Sequence, residues 1–155
     1  MRSVTRYNVQ SLVESARVVP ALCWLPRCKG ELAVSMRICV IDDNELIRDA
    51  LALVLADAGH EVRFAATGAD GISIAESGWL DAVVVDYDLP DMKGDDVAAT
   101  MRALAPTAAI VLASGWYSPE AKRDGDFDLF LQKPFTPRSL IAAVETALAR
   151  RSAVV

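Results

Sequence analysis

No run of apolar residues in this sequence approaches the ~18–20 needed to cross a bilayer, so nothing in it predicts a membrane span. Histidine is nearly absent: His60 stands alone. The three cysteines are an odd, sparse set without ligand-like spacing to that histidine, which argues against a zinc site. Cys39 falls inside a predicted strand and reads as a small core residue in a reducing, cytoplasmic compartment. An excess of basic charge is lacking too. The net charge of −5 argues against non-specific nucleic-acid binding by the domain itself. No glycine-rich loop follows the first predicted strand, which removes the usual cradle for a nucleotide phosphate. Internal repeats and low-complexity tracts are also missing.

What remains is ordinary in bulk and uneven in detail. A chain of 155 residues, 53% hydrophobic and 24% charged, is long enough to bury a core in one domain without staples. Residues 1–35 are basic, with Arg2, Arg6, Arg17, Arg27 and Lys29 against Glu14 and Glu31. Pro20 and Pro26 interrupt the one apolar patch there, Val18 to Leu25. A secretory signal fits poorly, because that patch is short and charged residues flank it. An organellar transit peptide fits the basic bias slightly better, and a partner-binding tail is a further option. Met36 begins the first strand directly, so it reads as the natural start. Residues 1–35 are then an over-extended start or a disordered tail, and Cys23 and Cys28 are incidental. The expected domain spans 36–150, with 151–155 a short tail.

From Met36 the pattern alternates strand and helix. Asn44 can cap a helix with an apolar face at Ile47, Leu51, Val54 and Leu55, flanked by Ala50 and Ala58 and closed by Gly59. Glu61-Val62-Arg63-Phe64 alternates as a half-exposed edge strand. Thr67 can start a second helix through Ala69, Ile72 and Ala75, ending near Gly78. A third follows Gly94, with Asp95 and Asp96 favouring the dipole, Val97, Met101 and Leu104 inward, and Pro106 at its end. A short fourth helix is expected near Pro119 to Arg123. Thr136 and Pro137 open a fifth, with Leu140, Val144, Ala147 and Leu148 inward. Five strands and five helices in alternation predict an α/β fold with a doubly wound parallel sheet.

Four strands end in chemistry. Ile38-Cys39-Val40-Ile41 runs into Asp42-Asp43, and Ala82-Val83-Val84-Val85 into Asp86. Ile110-Val111-Leu112-Ala113 reaches Ser114, and Leu129-Phe130-Leu131-Gln132 reaches Lys133-Pro134. Parallel strands gather these groups at one sheet edge, where open α/β sheets bind ligands. Carboxylates gathered there repel each other and raise each other's pKa unless a cation neutralises them. A hard divalent ion with oxygen ligands, Mg²⁺ foremost, meets that need. Asp86, protruding from the central strand, is the natural nucleophile, and a carboxylate can hold a phosphoryl group as an acyl phosphate. Lys133 supplies a point charge and Ser114 a hydroxyl donor to phosphoryl oxygens. No second base is visible, and His60 reads as a solvated loop residue away from this edge.

Ile41-Asp42-Asp43-Asn44-Glu45, the run from Val83 through Asp86-Tyr87-Asp88-Leu89-Pro90 to Gly94, Leu112-Ala113-Ser114-Gly115 and Leu131-Gln132-Lys133-Pro134-Phe135 together resemble the receiver domain of two-component response regulators. The resemblance covers about Met36 to Arg150 and implies a flavodoxin-like (βα)5 three-layer sandwich with strand order 2-1-3-4-5. It further implies that Asp86 accepts a phosphoryl group from the phosphohistidine of a sensor histidine kinase or a histidine phosphotransfer protein. Asp43 and Asp86 would ligate Mg²⁺ directly, Asp42 mostly through water, and Asp88 through its backbone carbonyl. Catalysis would rest on Asp86, Ser114 and Lys133, and Lys133-Pro134 would be a cis peptide. Ser114 and Phe130 match the family's switch pair. Phosphorylation would draw the Ser114 loop inward, let Phe130 turn, and reshape the face of the fourth helix, fifth strand and fifth helix for a downstream protein. Trp116 and Tyr117 are candidate partner contacts.

Two departures from that pattern matter. Ser114 and Lys133 are 19 positions apart, shorter than expected by about one helical turn, so the fourth helix should be truncated or irregular and dimerisation through that face is in doubt. The residues after the last helix offer no DNA-binding or enzymatic output, which makes a stand-alone receiver working by protein contact the expectation, a signalling phosphoacceptor more than an enzyme. A flavodoxin-like small-ligand binder is weakened by the missing glycine-rich loop after the first strand, and two further rivals compete with this reading. Val83-Val84-Val85-Asp86-Tyr87-Asp88 also resembles the first motif of haloacid-dehalogenase-type phosphatases, with Asp88 as acid/base. That family's metal-binding acidic pair follows its nucleophile, however, whereas Asp42-Asp43 precedes it. The other rival is a degenerate receiver acting without phosphate, which the complete set of groups disfavours.

Overall fold

β3 (Ala82–Asp86) lies at the middle of a five-stranded sheet, in line with its unbroken valine run. β1 (Arg37–Ile41), β2 (Glu61–Ala65), β4 (Ala109–Ser114) and β5 (Leu129–Gln132) join it in the order β2-β1-β3-β4-β5, every pairing parallel. These elements come from a computed structural model that describes residues 35–115 and 126–153. Within the described residues the helices are α1 (Glu45–Asp57), α2 (Gly68–Glu76), α3 (Gly94–Leu104) and α4 (Pro137–Ser152). None is long and apolar enough to cross a membrane. The expected helix near Pro119 to Arg123, together with Trp116 and Tyr117, lies outside the described residues.

Alternation along the strands splits the core into two faces. Ile38, Val40, Ala82, Val84, Ala109, Val111 and Ala113 pack with Leu51 and Leu55 of α1 and with Leu140, Ala143, Val144 and Ala147 of α4. Cys39, Ile41, Val83, Val85, Ile110 and Leu112 pack with Ile74 and Ala75 of α2 and with Val97, Ala98 and Met101 of α3. The sheet is thus the middle of three layers, and its central strands are apolar on both sides as buried parallel strands must be. Burying a side chain such as Leu55 or Leu140 contributes about 1.5–3 kcal/mol. The Cys39 thiol is buried, which pushes its pKa up to about 12 and makes it inert.

The helix ends follow the expected chemistry. Asn44 accepts from the Leu46 and Ile47 amides, Thr67 from that of Asp70, and Thr136 forms a capping box with Ser139 ahead of Pro137. Past α1, Gly59 takes φ +91°, a conformation open to glycine without strain.

The helix faces differ from expectation at particular residues. In α2 the buried stripe is Gly68, Gly71, Ile74 and Ala75, whereas Ala69 is exposed and Ile72 only half-buried. The cause is close approach. A Cβ on Gly71 would collide with the Ile41 side chain, so the helix meets the sheet through glycines that a count of apolar residues overlooks. Leu104 is 44% exposed instead of inward. It is the last residue of α3, beyond the stripe that ends at Met101, and the chain leaves the helix at Ala105. His60 is half-buried, not solvated. Its Nδ1 is shielded without a hydrogen-bond partner, and burial lowers its pKa against the opposing pull of Glu145 on α4.

Candidate functional site

The strand order reverses between β1 and β3, and the crevice at the carboxyl ends of these strands is where an open sheet binds ligands. Register brings the polar strand ends together there. Ile41 pairs with Val85, which sets Asp42 beside Asp86. Asp86 pairs with Ala113, so Ser114 lies one step further along, and Ser114 pairs with Gln132, just before Lys133. Asp42, Asp43 and Asp86 each offer a carboxylate oxygen within 4.8 Å of the others.

Asp42 is buried and held on every side. One carboxylate oxygen accepts the Asn44 amide at 2.9 Å, the other accepts Lys133 Nζ at 2.9 Å, and its carbonyl accepts the Arg48 guanidinium at 2.7 Å. Asp43 is exposed at the mouth. Lys133 Nζ also reaches Asp86 at 3.0 Å and so bridges the two inner carboxylates. Its backbone amide donates to the Ser114 carbonyl at 2.7 Å, and the peptide to Pro134 is cis, as expected. Ser114 is buried at the end of β4. Phe130 is half-buried against the α2/α3 side of the core.

Among the described residues, three carboxylates gather about one ammonium, which pairs with two of them. Burial pushes the Asp86 pKa above the usual carboxylate range; Lys133 pulls it down and Asp42 adds to the rise. Burial also works against the Lys133 charge, yet hydrogen bonds to Asp42 and Asp86 outweigh it and hold the lysine above its ordinary value. A pocket of carboxylate oxygens carrying surplus negative charge has the donor set of a hard divalent cation, Mg²⁺ among them, and suits neither zinc nor copper.

The loop after Asp86 is closed on itself. The Gly94 amide donates to the Tyr87 carbonyl at 2.8 Å, and Asp88 bridges Lys93 through the backbone and by a 2.7 Å ion pair. The Asp88 carboxylate is therefore turned outward onto Lys93, which leaves the main chain as what this residue can offer a metal. Gly94 has to be glycine: a Cβ there would strike the Asp86 carbonyl oxygen and the Tyr87 Cα.

Reasoning along the chain brought forward Asp42, Asp43, Asp86, Ser114 and Lys133, which meet, and Asp88, which borders them. It missed Arg48. The clue available was its position one turn into α1, in reach of the loop it secures. It also missed Asp91, whose carboxylate accepts the Gly68 and Ala69 amides at 2.9 Å each. That contact depends on tertiary packing and leaves no local signal.

The stretch of chain that carries this site also has known relatives. The family model of the response regulator receiver domain matches residues 38–145. A CheY-like receiver domain protein from Methanospirillum hungatei superposes with a TM-score of 0.73 at 27% identity, covering 78% of this chain and 99% of its own. A response regulator from Burkholderia pseudomallei, solved with a phosphorylated aspartic acid, a calcium ion and citrate, gives 0.67 at 30% identity, covering 77% and 72%. The transcriptional regulatory protein PdtaR of Mycobacterium tuberculosis is 32% identical over 128 residues, 81% of this chain and 62% of that protein. The chain spans about half to three-fifths of the length of the curated relatives it matches.

Proposed function

This chain belongs to the response regulator receiver domain family, and from that premise we propose that it accepts a phosphoryl group on Asp86 from a histidine kinase or histidine phosphotransfer protein. The observation that carries the reading is the meeting of Asp42, Asp43 and Asp86 within 4.8 Å, with Lys133 joined to two of them. Asp43 and Asp86 would hold Mg²⁺ directly, with Asp42 and the Asp88 carbonyl completing the protein's share. When bound, the ion neutralises the carboxylates and the phosphoryl oxygens that approach them. A carboxylate oxygen of Asp86 forms the O–P bond as the P–N bond of the donor phosphohistidine breaks, and the electron pair leaves with the imidazole. Lys133, already pointed at Asp86, supplies positive charge to a phosphoryl oxygen, and Ser114 supplies a hydroxyl.

The output is a protein-contact switch. Ser114 and Phe130 lie on neighbouring strands, Phe130 opposite Leu112, so a shift at one strand end reaches the other's packing. The face that includes β5 and α4 would be reshaped for a downstream partner in the cytoplasm. Residues 36–150 form the receiver unit of this proposal.

Intact-mass spectrometry after incubation with Mg²⁺ and acetyl phosphate tests the reading. A single phosphoryl adduct that needs Mg²⁺ and is lost in Asp86→Asn is expected. Repeated turnover with release of free phosphate would replace the proposal with a phosphatase, and neither adduct nor turnover would leave an interaction module that works without phosphate.

A further inference from the structure

Between Asp86 and α3 the chain forms a small closed loop whose base and tip are fixed by different contacts. At the base, the Gly94 amide meets the Tyr87 carbonyl, Asp88 bridges Lys93, and the Gly94 Cα lies tight against the Asp86 carbonyl. At the tip, Asp91 accepts two successive amides, Gly68 and Ala69, at the start of α2. Met92 packs beside it so closely that a Cβ on Gly68 would strike its Cγ and Sδ. Yet α2 already has its own cap, since Thr67 Oγ1 accepts the Asp70 amide at 3.1 Å. The start of this helix is therefore gripped twice, once by its own preceding residue and once from the loop that carries Asp88.

That double grip separates two jobs. Thr67 stabilises the helix. Asp91 ties the helix by two hydrogen bonds to a loop that is otherwise held at its base and by the packing of Leu89 and Met92 on the core. We propose that Asp91 is a positioning residue for the cation pocket: by docking the loop tip on the amino end of α2 it fixes the main chain at Asp88, three residues upstream. The proposal rests on the receiver reading, in which the Asp88 carbonyl faces the cation. Groups that orient metal ligands from behind commonly change affinity by tenfold or more when removed.

The test is calorimetric titration of the full chain with Mg²⁺, alongside the melting temperature, for wild type, Asp91→Ala, Asp91→Asn and Thr67→Ala. Asp91→Ala should weaken Mg²⁺ binding about tenfold. Asp91→Asn, which keeps an acceptor oxygen, should recover part of that loss. Thr67→Ala should lower the melting temperature as a lost helix cap does while binding Mg²⁺ like the wild type. Mg²⁺ binding by Asp91→Ala and Asp91→Asn equal to wild type would overturn the proposal. So would an equal weakening in Thr67→Ala, because helix stability rather than loop position would then be the cause. A wild-type chain that binds no Mg²⁺ would instead sink the receiver reading, and this proposal with it.

Discussion

Two ionic clusters lie at opposite ends of the sheet and are built on opposite principles. At the carboxyl end, Lys133 joins Asp42 and Asp86, and Asp43 offers a third carboxylate beside them. At the amino end, Asp128 alone receives Arg102 at 2.7 Å and Arg151 at 3.9 Å, together with the Ile110 amide at 2.8 Å. The spare donors of the two guanidiniums go to the Pro106 and Ala108 carbonyls, and Arg150 takes the Asp128 carbonyl. The amino-end cluster is tied almost wholly by the chain's own groups, with Arg102 Nε the one buried donor there that finds no partner among the described residues. Among the described residues the carboxyl-end cluster carries surplus negative charge, which an outside cation can balance. The inner groups are comparably buried in the two, so what separates them is the sign of the surplus charge: two guanidiniums on one carboxylate at the amino end, three carboxylates gathered about one lysine at the carboxyl end.

The largest test of this contrast is Asp128→Ala. Its carboxylate is 10% exposed and Arg102 14%, so removal strands two guanidiniums, and breaking such a pair should cost roughly 3 kcal/mol in urea denaturation. The matching substitution at the other end should have the opposite sign. Burial raises the Asp86 pKa, which means that the fold disfavours its ionised form at neutral pH. Asp86→Asn should therefore raise the denaturation midpoint of metal-free protein even though it gives up an ion pair with Lys133. Mg²⁺ then sharpens the comparison: at a hundredfold excess over Kd it should stabilise the wild type by about 2.7 kcal/mol and Asp86→Asn by far less. Were Asp86→Asn to destabilise metal-free protein as Asp128→Ala does, the two clusters would be alike and the contrast would fail.

The carboxyl-end site was legible in the sequence because each of its parts is written locally. An apolar run followed by a carboxylate, hydroxyl or lysine marks a strand end, and parallel order alone brings those ends together. The amino-end cluster has no such signature. Arg102 lies on α3 and Arg151 on α4, which cover opposite faces of the sheet, and they meet Asp128 only because both reach around its end. Leu104 shows the same limit on a smaller scale, since periodicity assigns it to a face but not to a helix end that the core no longer covers. Gly71 inverts it: the residue with least hydrophobic signal is the one through which α2 touches Ile41.

A third site, balanced one to one, tests what charge balance contributes where burial is slight. Arg37 and Asp81, also at the amino end, form one guanidinium on one carboxylate, with the Arg37 amide as a further donor, but their side chains are 42% and 35% exposed. The Arg37 hydrogen bond holds the Asp81 pKa below its ordinary value, against the push of burial. A carboxylate depressed in the folded state lends stability above its unfolded pKa, about 3.9, and loses it as pH falls through the folded value. Asp81→Asn should thus lie slightly below the wild type in stability at neutral pH, and the gap should close as pH falls through the acid range. Solvent screening makes this the smallest of the effects, and added salt should narrow it further. Denaturation midpoints of the two proteins across pH, at low and high salt, would check it. A gap as wide as that of Asp128→Ala, or one insensitive to pH, would mean that exposure matters less than charge balance, and the amino-end pairs would then have to be treated as one network.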